Sequence, residues 1–519
     1  METSLPGTQS VDKLFSFLGA DMAEINRLSL RASPLGPIMP HASKAIVDTQ
    51  DQRRLLPVVL RSAVPFVASC LAILGWESQS LTATPPNVIV ILADDLGAKE
   101  LGCYGHPYHR TPNLDQMAAD GVRMETFYAM PLCTPTRVAL MTGQYGFHNG
   151  FLGMSNPAFR PPKDSPQASI FNHFTIGDLM KSAGYATAQV GKWQLAGEPP
   201  TLIHDCGFDE YRMWAYAHNL PKGSQHDAPT SNEHGNPRFW HPSIVENGQY
   251  LPTTADQYGP DLFNAFALDF ARRHKQQPFF IYYTSVLTHG PHVETPDPEK
   301  PEQRRPAGFQ SNLEYLDFIL GQLRTGLAAE GLADNTYLFL IGDNGTAGDG
   351  KGTVTELGAR VPGIFVGPGI RRGLVTKALA DLTDIMATLA AISGATLPAD
   401  RPFDGYDLMP VLRGEKEKHR DWIYSHLDDG RLLRDERWLL QIGMHGQGQV
   451  FYDCGTSRDG SNYRDVTASA DPVVLQARAR FDSILAKLPM PTPNGVDKNT
   501  PKIKGQNRQE KRRRKSAAS

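Results

Sequence analysis

Four short runs of apolar and β-branched residues punctuate the chain: Asn87–Ala93 (NVIVILA), Ala186–Val190, Phe279–Tyr283 and Tyr337–Ile341. They are nearly continuous rather than alternating, the pattern of strands covered on both faces in a parallel sheet. Segments with helical periodicity separate them, at Asn113–Asp120, Ile176–Ala183, Asp261–His274 and Leu313–Leu327. Strands alternating with helices predict an α/β fold with a large, mostly parallel central sheet sandwiched by helices. A further strand is expected near Pro362–Val366 and a helix over Ala380–Ile392, completing a catalytic region at 85–404. Beyond Asp404 the texture changes to short segments, Asp421–Ser425, Trp438–Ile442 and Val450–Tyr452, separated by Gly-rich turns. These predict a smaller C-terminal α+β subdomain at 405–490, an antiparallel sheet with a helix over Val474–Leu488.

The two ends differ from this body. Residues 1–52 are polar and aperiodic, which reads as a disordered extension or as sequence upstream of the true start, with Met39 the candidate. Arg53-Arg54, an apolar centre through Ala63–Gly75 and the small residue Ala83 give 53–84 the make-up of a signal peptide. Export to the periplasm or the cell exterior follows. Val67–Cys70 also fits a lipoprotein cleavage site, so a lipid anchor is the alternative. Residues 491–519 form a basic tail, expected to be disordered.

Across 519 residues, 40% hydrophobic and 21% charged, the composition is that of a globular protein. The net charge of −3 hides an asymmetry, because nine Lys/Arg face only Glu510 between Lys498 and Lys515. The remainder is therefore acidic, which argues against a nucleic-acid partner. Five cysteines in no CxxC spacing exclude a disulfide scaffold and a zinc site. No apolar run suggests an integral membrane span in the mature form.

Chemistry concentrates where strands end. Asp94-Asp95 follow the first strand and Asp343-Asn344-Gly345 follow the Tyr337–Ile341 strand. Ligands of open α/β sheets gather beyond the carboxyl ends of strands. Two such ends could supply three carboxylates and an amide oxygen, hard donors suited to Ca²⁺ or Mg²⁺. Taken singly, each pair reads as a cap of the next helix or turn, and only the two together favour a metal. Cys133-Thr-Pro-Thr-Arg137 is the sharper signal. The apolar run after Arg137 reads as the first turns of a helix, whose N-terminus favours a nucleophile or a bound anion.

The Cys133-x-Pro-x-Arg137 motif with Thr142-Gly143 resembles the signature of type I, formylglycine-dependent sulfatases, arylsulfatase-like members of the alkaline-phosphatase-like superfamily. Asn87–Gly97, Thr111–Asp115, Gly191–Trp193, Gly207–Glu210, Asp343–Gly345 and Lys351–Pro362 resemble further blocks of that family in the same order, spanning about 86 to 455. The resemblance implies that a formylglycine-generating enzyme oxidises Cys133 to Cα-formylglycine. Its hydrate would attack a sulfate ester and then release inorganic sulfate. Asp94, Asp95, Asp343 and Asn344, with residue 133, would hold Ca²⁺, with Mg²⁺ the second choice. Arg137 would steady the modified side chain, and Lys192 and Lys351 would grip the sulfate. His289, in Thr-His-Gly-Pro, matches the family's histidine at the departing oxygen, with His292 the competing assignment. One position departs from the pattern. Gln194 stands where the family usually places a histidine that accepts a proton during sulfate release, and an amide cannot accept one at physiological pH. Gln194 keeps only a substrate-binding role, and Asp343 and His106 are the candidate replacements.

The substrate expected is a sulfated carbohydrate. The alternatives are a phosphate or phosphonate monoester and, given Gln194, a non-catalytic protein that retains the sulfate pocket. Trp214, Tyr216, Trp240 and Tyr250 could stack on sugar rings or pack a core. His426, Asp428 and Asp429 are candidates for the rim of the cleft.

Overall fold

A computed structural model describes residues 84–154, 169–195, 203–215, 237–458 and 460–489, with the backbone alone at 491–492 and 495–496. The N-terminal extension, the signal-like segment up to residue 83, and 497–519 of the basic tail lie outside the described residues, as does Tyr216.

The chain enters as β1 (Asn87–Ala93), crosses through α1 (Pro112–Asp120) to β2 (Val122–Met124), and reaches α2 (Cys133–Thr142). Next come α3 (Ile176–Ser182), β3 (Ala186–Lys192), β4 (Glu210–Trp214) and a hairpin of β5 (Ile244–Glu246) and β6 (Gln249–Leu251). The alternation continues through α4 (Gly259–Arg273), β7 (Phe279–Thr284), α5 (Phe309–Ala329) and β8 (Thr336–Gly342). It closes with β9 (Gly363–Val366), β10 (Leu374–Thr376) and α6 (Asp384–Ser393). Ten strands form one sheet in the order β10-β2-β9-β8-β1-β7-β3-β4-β5-β6. The central five, β8 to β4, run parallel. Antiparallel pairings begin at β9 on one side and β5 on the other.

β1 shows why its sequence is continuously apolar. Val88, Val90 and Leu92 face a core shared with α2, α3 and α6, through Val138, Leu179, Met180, Ile385 and Leu389. Ile89, Ile91 and Ala93 face the opposite core, packed by α1, α4 and α5 through Leu114, Phe263, Phe270, Leu316 and Leu320. Each buried aliphatic side chain contributes roughly 1.5–3 kcal/mol, so a polar residue on either face would be costly. Because the parallel strands share one polarity, β1, β3, β7 and β8 deliver their carboxyl ends to the same edge.

A second sheet follows, antiparallel and in sequence order: β11 (Ile423–Leu427), β12 (Gly430–Arg434), β13 (Trp438–Ile442), β14 (Gln449–Asp453) and β15 (Arg464–Asp465), with α7 (Pro472–Leu485). Tyr424, Leu433, Leu440 and Phe451 pack on Val474 and Phe481 of α7, and also on Ala139 of α2 and on Tyr145 and Phe147 just beyond it. The second sheet thus braces the helix that begins at Cys133.

Two details correct the sequence expectations. The helix expected from Ala380 starts at Asp384, because Ala380–Asp381 pairs as a strand with Phe127–Tyr128. β12 was not foreseen, since its sequence GRLLR carries two arginines and both are buried.

Candidate active site

Asp94 and Asp95 leave β1 where backbone bonds fix the turn. Asp94 N–H donates to Leu287 O at 2.9 Å, and Thr288 N–H donates to Asp94 O at 2.6 Å. Asp95 sits at φ 59°, a left-handed conformation that Asp tolerates better than most residues. Its N–H donates to Asp343 Oδ1 at 2.8 Å, tying the ends of β1 and β8 together. Gly191, at φ +90°, lets β3 close on β7. A Cβ there would stand 2.0 Å from Thr284 O. The next residue is Lys192, whose Nζ reaches both oxygens of Asp94 at 2.7 and 2.8 Å.

Cys133 is the first residue of α2 and only 1% exposed, with Sγ 3.8 Å from Asp95 Oδ1. One turn on, the fully buried Arg137 places Nη2 2.8 Å from Asp343 Oδ2 and 3.3 Å from Asp94 Oδ1. Its Nη1 donates to Lys192 O at 3.2 Å. Lys351 reaches Asp95 with Nζ 2.6 Å from Oδ1 and 2.7 Å from Oδ2. His289 Nε2 stands 3.7 Å from Asp95 Oδ2. Asn344 Nδ2 donates to Asp95 Oδ1 at 2.9 Å, while its buried Oδ1 has no hydrogen-bond partner.

Burial and charge act against each other here. Burial alone would raise the Asp94 carboxyl, but Lys192, His289 and Arg137 hold it well below the usual range. For Asp343 burial wins, reinforced by the negative charge of Asp94, and its carboxyl is pushed up to about 7. Burial also pushes the Cys133 thiol up to about 12, so an unmodified cysteine here is a poor nucleophile. His289 is lowered by burial, opposed by Asp94.

These donors suit a hard divalent cation. Ligand atoms of Asp94, Asp95, Cys133 and His289 lie within 4.8 Å of one another, and the unpartnered Asn344 Oδ1 adds an oxygen that burial leaves unsatisfied. Three carboxylates at one strand edge need positive charge, and in this structure Arg137, Lys192 and Lys351 supply it.

Gln194 lies beside the cysteine. Its Nε2 stands 3.4 Å from Thr134 Oγ1 and 3.3 Å from Met154 Sδ. His292 turns elsewhere, bonding Thr288 O at 3.0 Å and meeting the Phe309 ring edge-on. His106 stacks on His109 beside Glu100, in a separate group. Trp214 is buried, whereas Trp240 is partly exposed beneath Arg304. His426 is fully buried and accepts from Gly146 N–H at 3.0 Å. Asp428 and Asp429 pair with His445. One residue escaped sequence reasoning. Arg238, 2% exposed, stacks over Trp214 at 4.2 Å and places Nη1 3.1 Å from His289 Nδ1. It sits in no recognisable motif, and an isolated arginine carries no signal by itself.

A sequence profile of the sulfatase family matches residues 86–395. The chain belongs to the sulfatase family. Human arylsulfatase A is 33% identical to this sulfatase over 478 residues, 80% of this chain and 90% of that protein. Human N-acetylgalactosamine-6-sulfatase is 33% identical over 369 residues, 66% of this chain and 69% of that protein. The crystal structure of Ps i-CgsB superposes with a TM-score of 0.63 at 25% identity, covering 77% of this sulfatase and 92% of that chain. The large sheet, the separate antiparallel sheet and the helices on both faces are thus the architecture of a sulfuric ester hydrolase.

Proposed function

We propose that this sulfatase cleaves a sulfate ester of a sulfated carbohydrate outside the cytoplasm. In this reading residue 133 works as formylglycine, and Asp94, Asp95, Asp343 and Asn344 hold Ca²⁺. The observation that carries it is the buried sulfur at the start of α2, set against Asp95 and flanked by two lysine-carboxylate pairs. As a hydrated aldehyde, residue 133 offers one hydroxyl to attack sulfur and a second through which sulfate leaves. A bound Ca²⁺ would neutralise the carboxylates and acidify a hydroxyl on residue 133.

The chain's own residues do the rest. Lys192 and Lys351 bind and orient the sulfate oxygens as negative charge builds on them. Arg137, anchored to Asp343 and to Lys192 O, keeps the start of α2 and the end of β3 in register. His289, with Nδ1 2.6 Å from Gly290 O, turns Nε2 towards the departing oxygen and supplies its proton there as an imidazolium. Gln194 orients by hydrogen bonding without accepting a proton. The N-acetylgalactosamine-6-sulfatase relative supports a carbohydrate substrate, and the signal-like segment supports export.

Protein from the native host tests this directly. The peptide containing Cys133 is expected about 18 Da lighter than its unmodified mass, by thiol-to-aldehyde oxidation. Cys133→Ala should abolish turnover of an aryl sulfate. A higher rate on the matching aryl phosphate would replace sulfate by phosphate as the substrate group, and an unmodified thiol in active enzyme would overturn the mechanism.

A further inference from the structure

A cavity of about 870 Å³ lies between the loop after β1, the end of β2 and the turn after β14, apart from the carboxylate cluster. Arg123, Arg360, Lys377, Arg458 and Arg464 line it, with Glu125 and Asp453 the only carboxylates among the described lining residues. Asp453 is already saturated, accepting from Arg437 Nη2 and Arg464 Nη2 at 2.8 Å each. Arg123 and Arg360 both lie over the Tyr104 ring, 4.8 and 5.7 Å from its centre, which fixes their guanidiniums without neutralising them. Arg458 is half-buried and its Nε has no hydrogen-bond partner. Burial, and to a lesser degree the nearby Arg434, hold its guanidinium below the ordinary value.

Position gives the cavity its meaning. Arg360 also lines a small adjoining hollow of about 40 Å³, together with Lys99, Thr346, Asp349, Glu356 and Leu357. Thr346 and Asp349 belong to the loop that carries Lys351 to the active site. The cationic cavity is therefore joined to the catalytic loop by a continuous lining.

Resting on the sulfatase reading above, we infer that this cavity binds sulfate groups of a polysulfated carbohydrate chain while another ester of the same chain occupies the active site. A cation-rich concavity with few carboxylates suits a polyanion. The sulfatase reading, rather than charge, favours a sulfated chain over a nucleic acid as the occupant.

Direct binding tests the inference without turnover, so its failure is distinct from failure of the hydrolytic reading. The probe is a fluorescein-labelled heparin-derived hexasaccharide at about 50 mM salt, where screening is modest. Two variants are compared with the unaltered protein, the double substitution Arg123→Gln/Lys377→Gln and, separately, Thr456→Glu at the exposed rim. Each is expected to raise Kd for the hexasaccharide about tenfold while leaving kcat/KM on a small aryl sulfate unchanged. Unchanged Kd in both variants would overturn the inference. Displacement by inorganic sulfate at equal sulfate concentration would reassign the cavity to free anions. Tighter binding of a single-stranded oligonucleotide of equal charge would reassign it to nucleic acid.

Discussion

Gln194 puts a chemical question at one residue. In the proposed mechanism it stands in the place of a proton acceptor for sulfate release, and an amide has no such capacity. Attack and alcohol departure do not need that acceptor, so the alcohol should appear in a burst of about one equivalent per site, followed by slower turnover. Gln194→His is expected to remove the burst and raise kcat by about tenfold or more, the lower end of what general-base assistance supplies. Stopped-flow release of a chromogenic phenol from its sulfate reads both. Arg238 poses a second question. Its Nη1 meets His289 Nδ1, so Arg238→Gln should lower kcat on the order of tenfold with a smaller change in KM, because it disturbs the ring that serves the leaving oxygen. Steady-state kinetics separate the two parameters. The contrast between these residues shows what sequence could reveal. Asp94, Asp95, Asp343 and Asn344 were legible because each follows a recognisable strand, whereas Arg238 reaches His289 only through tertiary folding. His289 and His292, three residues apart in one loop, could be told apart only once their side chains pointed different ways.

Elements hold these residues to tolerances that can be challenged. Gly191 lies where β3 and β7 nearly touch, and Gly191→Ala would force a methyl onto Thr284 O. A loss on the order of 3 kcal/mol is expected, read as a lower denaturant midpoint, with displacement of the neighbouring Lys192 reducing activity as well. Arg434 of β12 crosses to Glu356 beyond the Lys351 loop, with Nη1 2.9 Å from Oε1, while Tyr128 OH donates to the same oxygen at 2.8 Å. Arg434→Met would leave that carboxylate buried without its cation, at a cost of about 3–5 kcal/mol. The main strands and helices were readable because two-sided burial writes continuous apolar runs and one-sided packing writes a helical period. β12 was not, because its two arginines look like a surface segment, although Arg434 is buried by pairing with Glu356. The late start of α6 was hidden for another reason: a two-residue strand pairing depends on a partner more than 250 residues away.

At the scale of the whole molecule, stability should depend on both pH and metal. His426 is fully buried between the second sheet and the turn after α2, and burial lowers its imidazole to about 4. The folded protein keeps it neutral while the unfolded chain binds a proton below about 6.5, so stability is lost as pH falls from 6.5 towards 4. His426→Gln should flatten that part of a melting-temperature profile. Metal should act in the other direction. Chelation is expected to lower both activity and melting temperature, and added Ca²⁺ to restore them, by about 2.7 kcal/mol at a hundredfold excess over Kd. Asn344→Ala should blunt the Ca²⁺ response.

Burial of Cys133 carries a consequence for timing. Cys133 lies at 1% exposure against Asp95, which Asn344 meets across 249 residues of chain. Any catalyst that oxidises this thiol needs room to grasp it. In the folded protein β8 pairs with β1 and Asn344 closes on Asp95, so such room is expected only before that pairing forms. The proposed maturation thus belongs to the nascent protein, and a finished molecule that missed its oxidation would have to open its central sheet to receive it.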